Sequence, residues 1–113
     1  MKGSGSIGNK GMKLYEIFSG EDLQIAEKIQ QRRLQMLIHS AIYYIFNDSI
    51  ISDFKWSQWG VELMELQNKY PDISSKVEFA EAFSDWDAST GFNLPINDEW
   101  VLRKATQLIE RRV

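Results

Sequence analysis

The chain contains no cysteine. This absence excludes disulfide bonds, thiolate nucleophiles and metal sites with cysteine ligands, and it is compatible with a reducing cytoplasm. Long apolar runs are also absent: none approaches the roughly 18 residues of a membrane-spanning helix, and no secretory signal is visible. The sequence therefore predicts a cytoplasmic protein without a membrane partner.

Clusters of positive charge are missing as well. The basic residues form only three adjacent pairs, Arg32-Arg33, Arg103-Lys104 and Arg111-Arg112, and we interpret each pair as part of a solvated helix face. Nonspecific nucleic-acid binders normally show clustered Lys and Arg that displace the counterions of phosphates. The sequence therefore predicts no direct contact with nucleic acid.

The length of 113 residues fits one domain and is too short for a catalytic domain plus a separate substrate domain. Residues 1–11 are rich in Gly, Ser and Lys, and we interpret them as an expression tag that is disordered. Residues 12–113 are then predicted to form a single helical domain. Without the two lysines of the tag, eleven basic residues stand against 16 acidic ones, a net charge of about −5 that favours solubility.

The spacing of apolar residues predicts an all-α fold built on a helical hairpin. Ser19 and the acids after it are typical of a helix N-terminus, and an apolar stripe with steps of three and four residues follows. A second helix opens at Ser52 and ends before a proline. The two helices are predicted at about 21–46 and 52–70, and a short polar loop joins them into an antiparallel pair. The apolar seam of the second helix consists of Trp56, Trp59, Leu63, Leu66 and Tyr70.

Beyond the hairpin, the pattern predicts one short and one longer C-terminal helix packed on it. Residues 73–83 have helical character, whereas residues 84–95 are rich in turn-forming residues and are predicted to form a loop. The longer helix begins near Asn97-Asp98 and keeps its apolar residues on one side.

The predicted loop combines acidic and aromatic residues. Its Asp-x-Asp-x-Ser sequence, residues 85–89, is interpreted as an ordinary turn. A calcium loop requires Gly at its sixth place and an acid at its twelfth, where this chain has Thr90 and Ile96. Exposed aromatic residues rimmed by acids are suited to binding a protein partner. Alternatively, the tryptophan folds back over the hairpin. The predicted partner surface consists of Phe83, Asp85, Trp86 and Asp87.

One segment carries a family resemblance. Residues 39–71 read HSAIYYIFNDSIISDFKWSQWGVELMELQNKYP. This segment resembles the N-terminal domain of bacterial NAD-dependent DNA ligases, whose pattern is approximately H-x-x-x-Y-[YH]-V, a short acidic turn, I-x-D-x-x-Y-D, then E-L-x-x-L and a closing proline. The resemblance implies a ligase-like hairpin at 36–71, and it suggests a short ligase-related protein of Gram-positive bacteria or their phages. The matching residues are His39, Tyr43, Tyr44, Ile51, Asp53, Glu62, Leu63, Leu66 and Pro71.

In that family the domain grips the nicotinamide mononucleotide (NMN) half of NAD, while a lysine on the next domain attacks the adenylyl phosphorus. The resemblance implies that Tyr43, Tyr44 and Asp53 face the ligand. Aromatic rings can stack on the cationic nicotinamide, and a carboxylate and hydroxyls can hold the ribose. The family's Tyr-Asp pair is Trp56-Ser57 here, so stacking is retained but a negative charge is lost. The predicted residues for NMN or NAD are therefore Tyr43, Tyr44, Asp53, Trp56 and Ser57.

The chain has no K-x-D-G adenylation motif, so it cannot be a DNA ligase by itself, and we assign no catalytic residue and no metal. The favoured hypothesis is a noncatalytic protein-interaction module derived from the ligase hairpin, because Ser57 removes a ligand contact. The alternative is a weak NMN- or NAD-binding module that works with a separate nucleotidyltransferase. An enzyme acting on NAD ranks last, because only Asp53 or His39 could serve as its general base.

Overall fold

The structure, a computed structural model, describes residues 13–112. The predicted tag at residues 1–11 lies outside the described residues. Within the described part the chain forms helices and connecting turns without strands, so the all-α prediction is confirmed. The helices are α1 (Leu14–Ile17), α2 (Gly20–Tyr44), α3 (Asp53–Lys69), α4 (Pro71–Ser74) and α5 (Glu99–Arg112).

Helix α2 begins after Ser19, as predicted, and ends two residues before the predicted end. Ser19 is the N-cap residue, but its side chain makes no capping hydrogen bond. Its carbonyl instead accepts a hydrogen bond from the backbone N–H of Leu23 at 3.2 Å. The helix stops early because Asn47 has a φ of 53°, a left-handed conformation that asparagine tolerates and that a right-handed helix cannot contain.

Helix α3 confirms the predicted second arm of the hairpin. The Ser52 hydroxyl accepts a hydrogen bond from the backbone N–H of Lys55 at 3.0 Å and so caps the helix. The helix ends before Pro71, because the residue before a proline avoids helical dihedral angles. Along the predicted seam, Leu63 is fully buried, and the other four side chains are half-buried against the hydrophobic core.

The predicted short helix at 73–83 is wrong beyond Ser74, because α4 spans a single turn and irregular turns follow it. The cause lies in α2. The Arg33 guanidinium donates hydrogen bonds to the carbonyls of Ser74, Val77 and Glu78, which a continuing helix would use for its own hydrogen bonds. Phe79 then takes a φ of 65°, which ends any helical continuation.

Arg33 also corrects the prediction that the Arg32-Arg33 pair is a solvated face. Its side chain is 1% exposed and lies in the interior between α2 and the turns that follow α4. Burial lowers the pKa of Arg33 to about 10, so the guanidinium is charged at neutral pH. Arg32 next to it is half-buried and pairs with Glu62 at 2.8 Å.

Helix α5 packs on α2, which contacts all four other helices. The Asp98 carboxylate caps α5 by accepting hydrogen bonds from the backbone N–H groups of Trp100 at 2.9 Å and Val101 at 3.2 Å, so the predicted start near Asn97-Asp98 is confirmed. Among residues 13–112, none of the helices is long and apolar enough to cross a membrane. The predicted loop at 84–95 consists of turns and bends and runs back to the end of the hairpin.

Candidate functional site

A cavity of about 230 Å³ lies where α2 and α3 are connected. Its wall is formed by the last turns of α2, residues 49–52, the first turns of α3 and residues 89–91 of the long loop. We call it the hairpin-end cavity. The structure brings all five predicted ligand-facing residues to this cavity: Tyr43, Tyr44, Asp53, Trp56 and Ser57.

The two tyrosines in the last turn of α2 lie at the rim of the cavity. Tyr43 is 57% exposed and Tyr44 is 41% exposed, and their rings meet edge to face with centroids 4.9 Å apart. The Tyr44 hydroxyl shares a hydrogen bond with the Thr90 hydroxyl at 2.8 Å, and its ring packs against Phe92. Tyr44 is thus held by the loop, whereas Tyr43 is the more exposed of the two rings.

The first turns of α3 contribute a carboxylate and an indole. Asp53 is exposed, and within residues 13–112 its carboxylate has no hydrogen-bond partner. Trp56 is half-buried and meets the ring of Trp86 edge to face at 6.1 Å, so it packs against the loop and also lines the cavity. Ser57, where the ligase pattern has an aspartate, is exposed at the cavity wall.

The long loop supplies the side of the cavity that the sequence did not predict. The Trp86 indole N–H donates to the carbonyl of Thr90 at 2.7 Å, which folds residues 86–90 into a compact turn. Gly91 is buried directly on Ser40 of α2, so closely that an added Cβ would overlap the Ser40 hydroxyl. The glycine is required here by this close approach. A glycine in the predicted loop was the signal available in the sequence, but nothing local indicated that it packs on Ser40.

Two buried polar atoms without a hydrogen-bond partner among the described residues, His39 Nδ1 and Ser40 Oγ, both belong to residues that line this cavity. The His39 ring packs against Trp59 with centroids 5.6 Å apart. Burial lowers the pKa of His39 below its ordinary value of 6.5, because desolvation disfavours the charged imidazolium. Buried polar atoms normally have partners, so these two atoms are exceptions within the described part of the chain.

The predicted partner surface is corrected at its centre. Phe83 is fully buried, and Trp86 packs on it edge to face at 5.1 Å, so the tryptophan folds back over the hairpin. Asp87 accepts hydrogen bonds from the backbone N–H and the hydroxyl of Ser89, which confirms the ordinary turn. These hydrogen bonds hold the pKa of Asp87 below its usual value. Asp85 is exposed. Because Phe83 is buried and Trp86 is half-buried, no exposed aromatic centre remains for the acidic residues to surround.

No group of three or more His, Asp and Glu residues within 13–112 is arranged to hold a metal ion. The charge of the cavity wall is simple, because Asp53 is the one acidic residue among its 14 lining residues and no Lys or Arg is among them. Hydroxyl groups dominate the remaining polar surface. The hydroxyl residues of the wall that the sequence did not predict to face a ligand are Ser40, Ser49, Ser52, Ser89 and Thr90.

Comparison with known proteins shows a similarity to a DNA ligase. A stretch of 49 residues, 43% of the chain, is 37% identical to a DNA ligase of Pseudothermotoga lettingae, of which the match covers 7%. The chain thus corresponds to a small part of the length of this curated relative. No protein-family model matches the sequence, and no solved structure matches it. The chain therefore contains a segment similar to part of a DNA ligase.

Proposed function

We propose that this chain is a noncatalytic binding module for the nicotinamide end of a nicotinamide nucleotide such as NMN or NAD. The observation that carries the proposal is the convergence of Tyr43, Tyr44, Asp53, Trp56 and Ser57 on one cavity. These residues come from two helices and meet at the connected end of the hairpin. Their similarity to the ligase pattern supports a ligand of the same kind.

The chemistry of the cavity fits a flat cationic ring attached to a sugar. The face of Tyr43 and the ring of Trp56 offer aromatic surfaces for a cation. The Asp53 carboxylate offers an acceptor for ribose hydroxyls and a negative charge for the ring. The hydroxyl groups of Ser57 and Thr90 line the same wall and can donate to or accept from the sugar.

Any adenylyl transfer would come from a separate nucleotidyltransferase, since the sequence has no K-x-D-G motif. In this arrangement the chain would hold the nicotinamide half of NAD and the partner would hold the adenylate half. The protein partner is thereby proposed as the catalytic component.

A protein-interaction module without a nucleotide site is the second candidate. The predicted partner surface does not favour it, because Phe83 is fully buried. A different observation favours an interaction module. Phe54 is 74% exposed and Val61 is 52% exposed, and their spacing of seven residues puts both on the outer face of α3. Large exposed apolar side chains of this kind occur at protein interfaces. This face lies beside the cavity, so both functions can coexist.

The deciding experiment is an NMR titration of the protein with NMN, NAD and AMP, with backbone amides followed individually. We expect saturable shifts from NMN and NAD at residues of the hairpin-end cavity and much smaller effects from AMP. The variants Tyr43→Ala and Asp53→Ala should each weaken binding.

Matched controls come from the same chain. Tyr15→Ala removes a tyrosine that is 69% exposed on α1, and Asp22→Ala removes an exposed carboxylate from the first turn of α2. Both should bind like the wild type. An absence of chemical-shift changes with NMN and NAD at millimolar concentration, or equal changes with AMP, contradicts the proposed function. The outer face of α3 is then the remaining candidate site.

A further inference from the structure

We propose that the outer face of α3 binds a second copy of this chain, with the two α3 helices antiparallel about a twofold axis near Gln58. This inference goes beyond the nucleotide site and does not depend on it. Three features of the outer face carry it: the exposed apolar side chains, the groove beside them and the order of the charges along the helix.

The exposed side chains of the outer face form a stripe along about three turns of α3. Phe54 and Val61 are its two large apolar members, and both are more than half exposed. Gln58 and Glu65 are exposed in the same stripe, because steps of four, three and four residues keep side chains on one side of a helix. The other side of α3 carries the buried Leu63 and packs on α2 and α4. The stripe is therefore left uncovered by the part of the chain that the structure describes.

A shallow groove of about 610 Å³ lies beside this stripe. The half-buried ring of Trp59 is part of its lining. The Arg32 guanidinium and the Lys55 ammonium group lie 5.5 and 6.0 Å from the centre of that ring. A groove next to the protruding Phe54 is a shape that a second copy can match, because each copy then offers both a projecting ring and a place to receive one.

The charges of the groove are balanced, although the chain as a whole has a formal net charge of −3. Two cations, Arg32 and Lys55, and two anions, Glu62 and Glu65, line it. Two copies can therefore approach each other on this face without the repulsion that two surfaces of the same net charge produce.

The order of these charges along α3 favours the antiparallel arrangement. Lys55 lies seven residues before Glu62, so both are on the same flank of the stripe. In an antiparallel pair about a twofold axis near Gln58, Lys55 of each copy lies opposite Glu62 of the other, and Phe54 lies close to Val61 of the other. Parallel packing in register would instead oppose two lysines and two glutamates, which like charges disfavour.

Sedimentation velocity of the full chain, from micromolar to millimolar concentration, tests whether the dimer forms. Three turns of one helix offer less than the roughly 800 Å² per partner of a standard interface, so we expect a weak monomer–dimer equilibrium. Phe54→Ala should weaken it at least about tenfold, because each dimer loses two aromatic side chains from its centre. Phe92→Ala is the matched control: Phe92 is 64% exposed but packs on Tyr44, and its loss should leave the dissociation constant unchanged.

Charge reversal tests the antiparallel arrangement. Lys55→Glu and Glu62→Lys each place like charges opposite each other at two positions of the twofold dimer, so each variant alone should dimerise about five- to tenfold more weakly. An equimolar mixture of the two variants should regain the wild-type constant, because the mixed dimer has opposite charges at both positions. Circular dichroism of each variant verifies that it is folded.

The outcomes are distinct. A chain that stays monomeric at millimolar concentration overturns the inference, and so does a dimer that Phe54→Ala leaves intact. Weakening by both charge variants without recovery in the mixture also overturns it, because the twofold arrangement requires that recovery. Loss of the dimer in Phe54→Ala together with recovery in the mixture supports it. Phe54 does not line the hairpin-end cavity, so the NMN titration of Phe54→Ala should match that of the wild type whichever result is obtained.

Discussion

The buried Arg33 gives the sharpest prediction about stability. Its guanidinium donates to the Gln67 side chain at 2.8 Å and to the Ser74 hydroxyl at 2.6 Å, as well as to the carbonyls of Ser74, Val77 and Glu78 at 3.0–3.1 Å. None of these acceptors is a carboxylate. The guanidinium therefore joins α2 to the turns after α4 through hydrogen bonds rather than an ion pair.

Replacing Arg33 with leucine removes the donor and leaves three buried or half-buried carbonyls without it. Each unsatisfied buried group costs about 1–3 kcal/mol, and the costs are not fully additive because local relaxation admits water. Since burying a guanidinium also carries a desolvation penalty that leucine avoids, we expect a net loss of about 3–5 kcal/mol. For a domain of this size that corresponds to a fall in Tm of at least about 12 °C.

The assay is urea unfolding at pH 7 followed by tryptophan fluorescence, with the free energy taken from the midpoint and slope. Arg32→Leu is the matched control, because Arg32 is the neighbouring residue and its partner Glu62 is 42% exposed. That pair is screened by solvent and should contribute at most about 1 kcal/mol. Arg33→Lys should recover less than half of the loss, since lysine cannot reproduce the planar set of donors. Equal destabilisation by Arg33→Leu and Arg32→Leu would refute the reasoning.

Three further predictions concern the hairpin-end cavity. Gly91→Ala should cost about 1–3 kcal/mol by overpacking, because its Cβ would lie 2.6 Å from Ser40 Cβ, and Ser40→Gly should restore part of this in urea unfolding of the double variant; additive effects would argue against the contact. His39 binds its proton more weakly when folded, so thermal stability should fall as the pH drops below about 6.5, where the unfolded chain takes up the proton first. His39→Gln should flatten that profile, and parallel profiles would contradict it. Ser57→Asp should strengthen NMN binding about two- to fivefold, because it adds a carboxylate to the cavity wall, whereas Gln58→Asp, on the outer face of α3, should leave the titration unchanged.

The helices and their pairing could be predicted from sequence because their signals are local. Apolar residues recur at helical spacing along α2 and α3, and Ser52 marks the start of α3 with a hydroxyl that caps it in the structure. The hairpin then brings Tyr43 and Asp53 close together, because they lie at the connected ends of α2 and α3. No long-range contact is needed to predict this. Their meeting at one cavity follows from the connection being short.

Arg33 shows what local signals do not decide. It lies four residues after Ile29 and four before Leu37, both fully buried, so its spacing matches the core stripe. Its charge nevertheless predicts exposure. The acceptors that make burial possible are 34 to 45 residues away along the chain, and no pattern in the sequence pairs them with Arg33. The same long-range contacts ended the predicted helix at 73–83.

The path of the loop at 84–95 also depends on contacts that the sequence pattern does not reveal. Its turn propensity was evident, but its path is fixed by Trp86, which packs on Phe83 and Trp56 and donates to the Thr90 carbonyl. That path brings residues 89–91 onto α2 and adds hydroxyl groups to the cavity wall. These residues lie outside the segment that resembles a ligase, so the resemblance cannot specify how they contact a ligand. The wall of the cavity is therefore built jointly by the hairpin, whose residues the sequence pattern indicates, and by a loop whose contribution requires the three-dimensional structure.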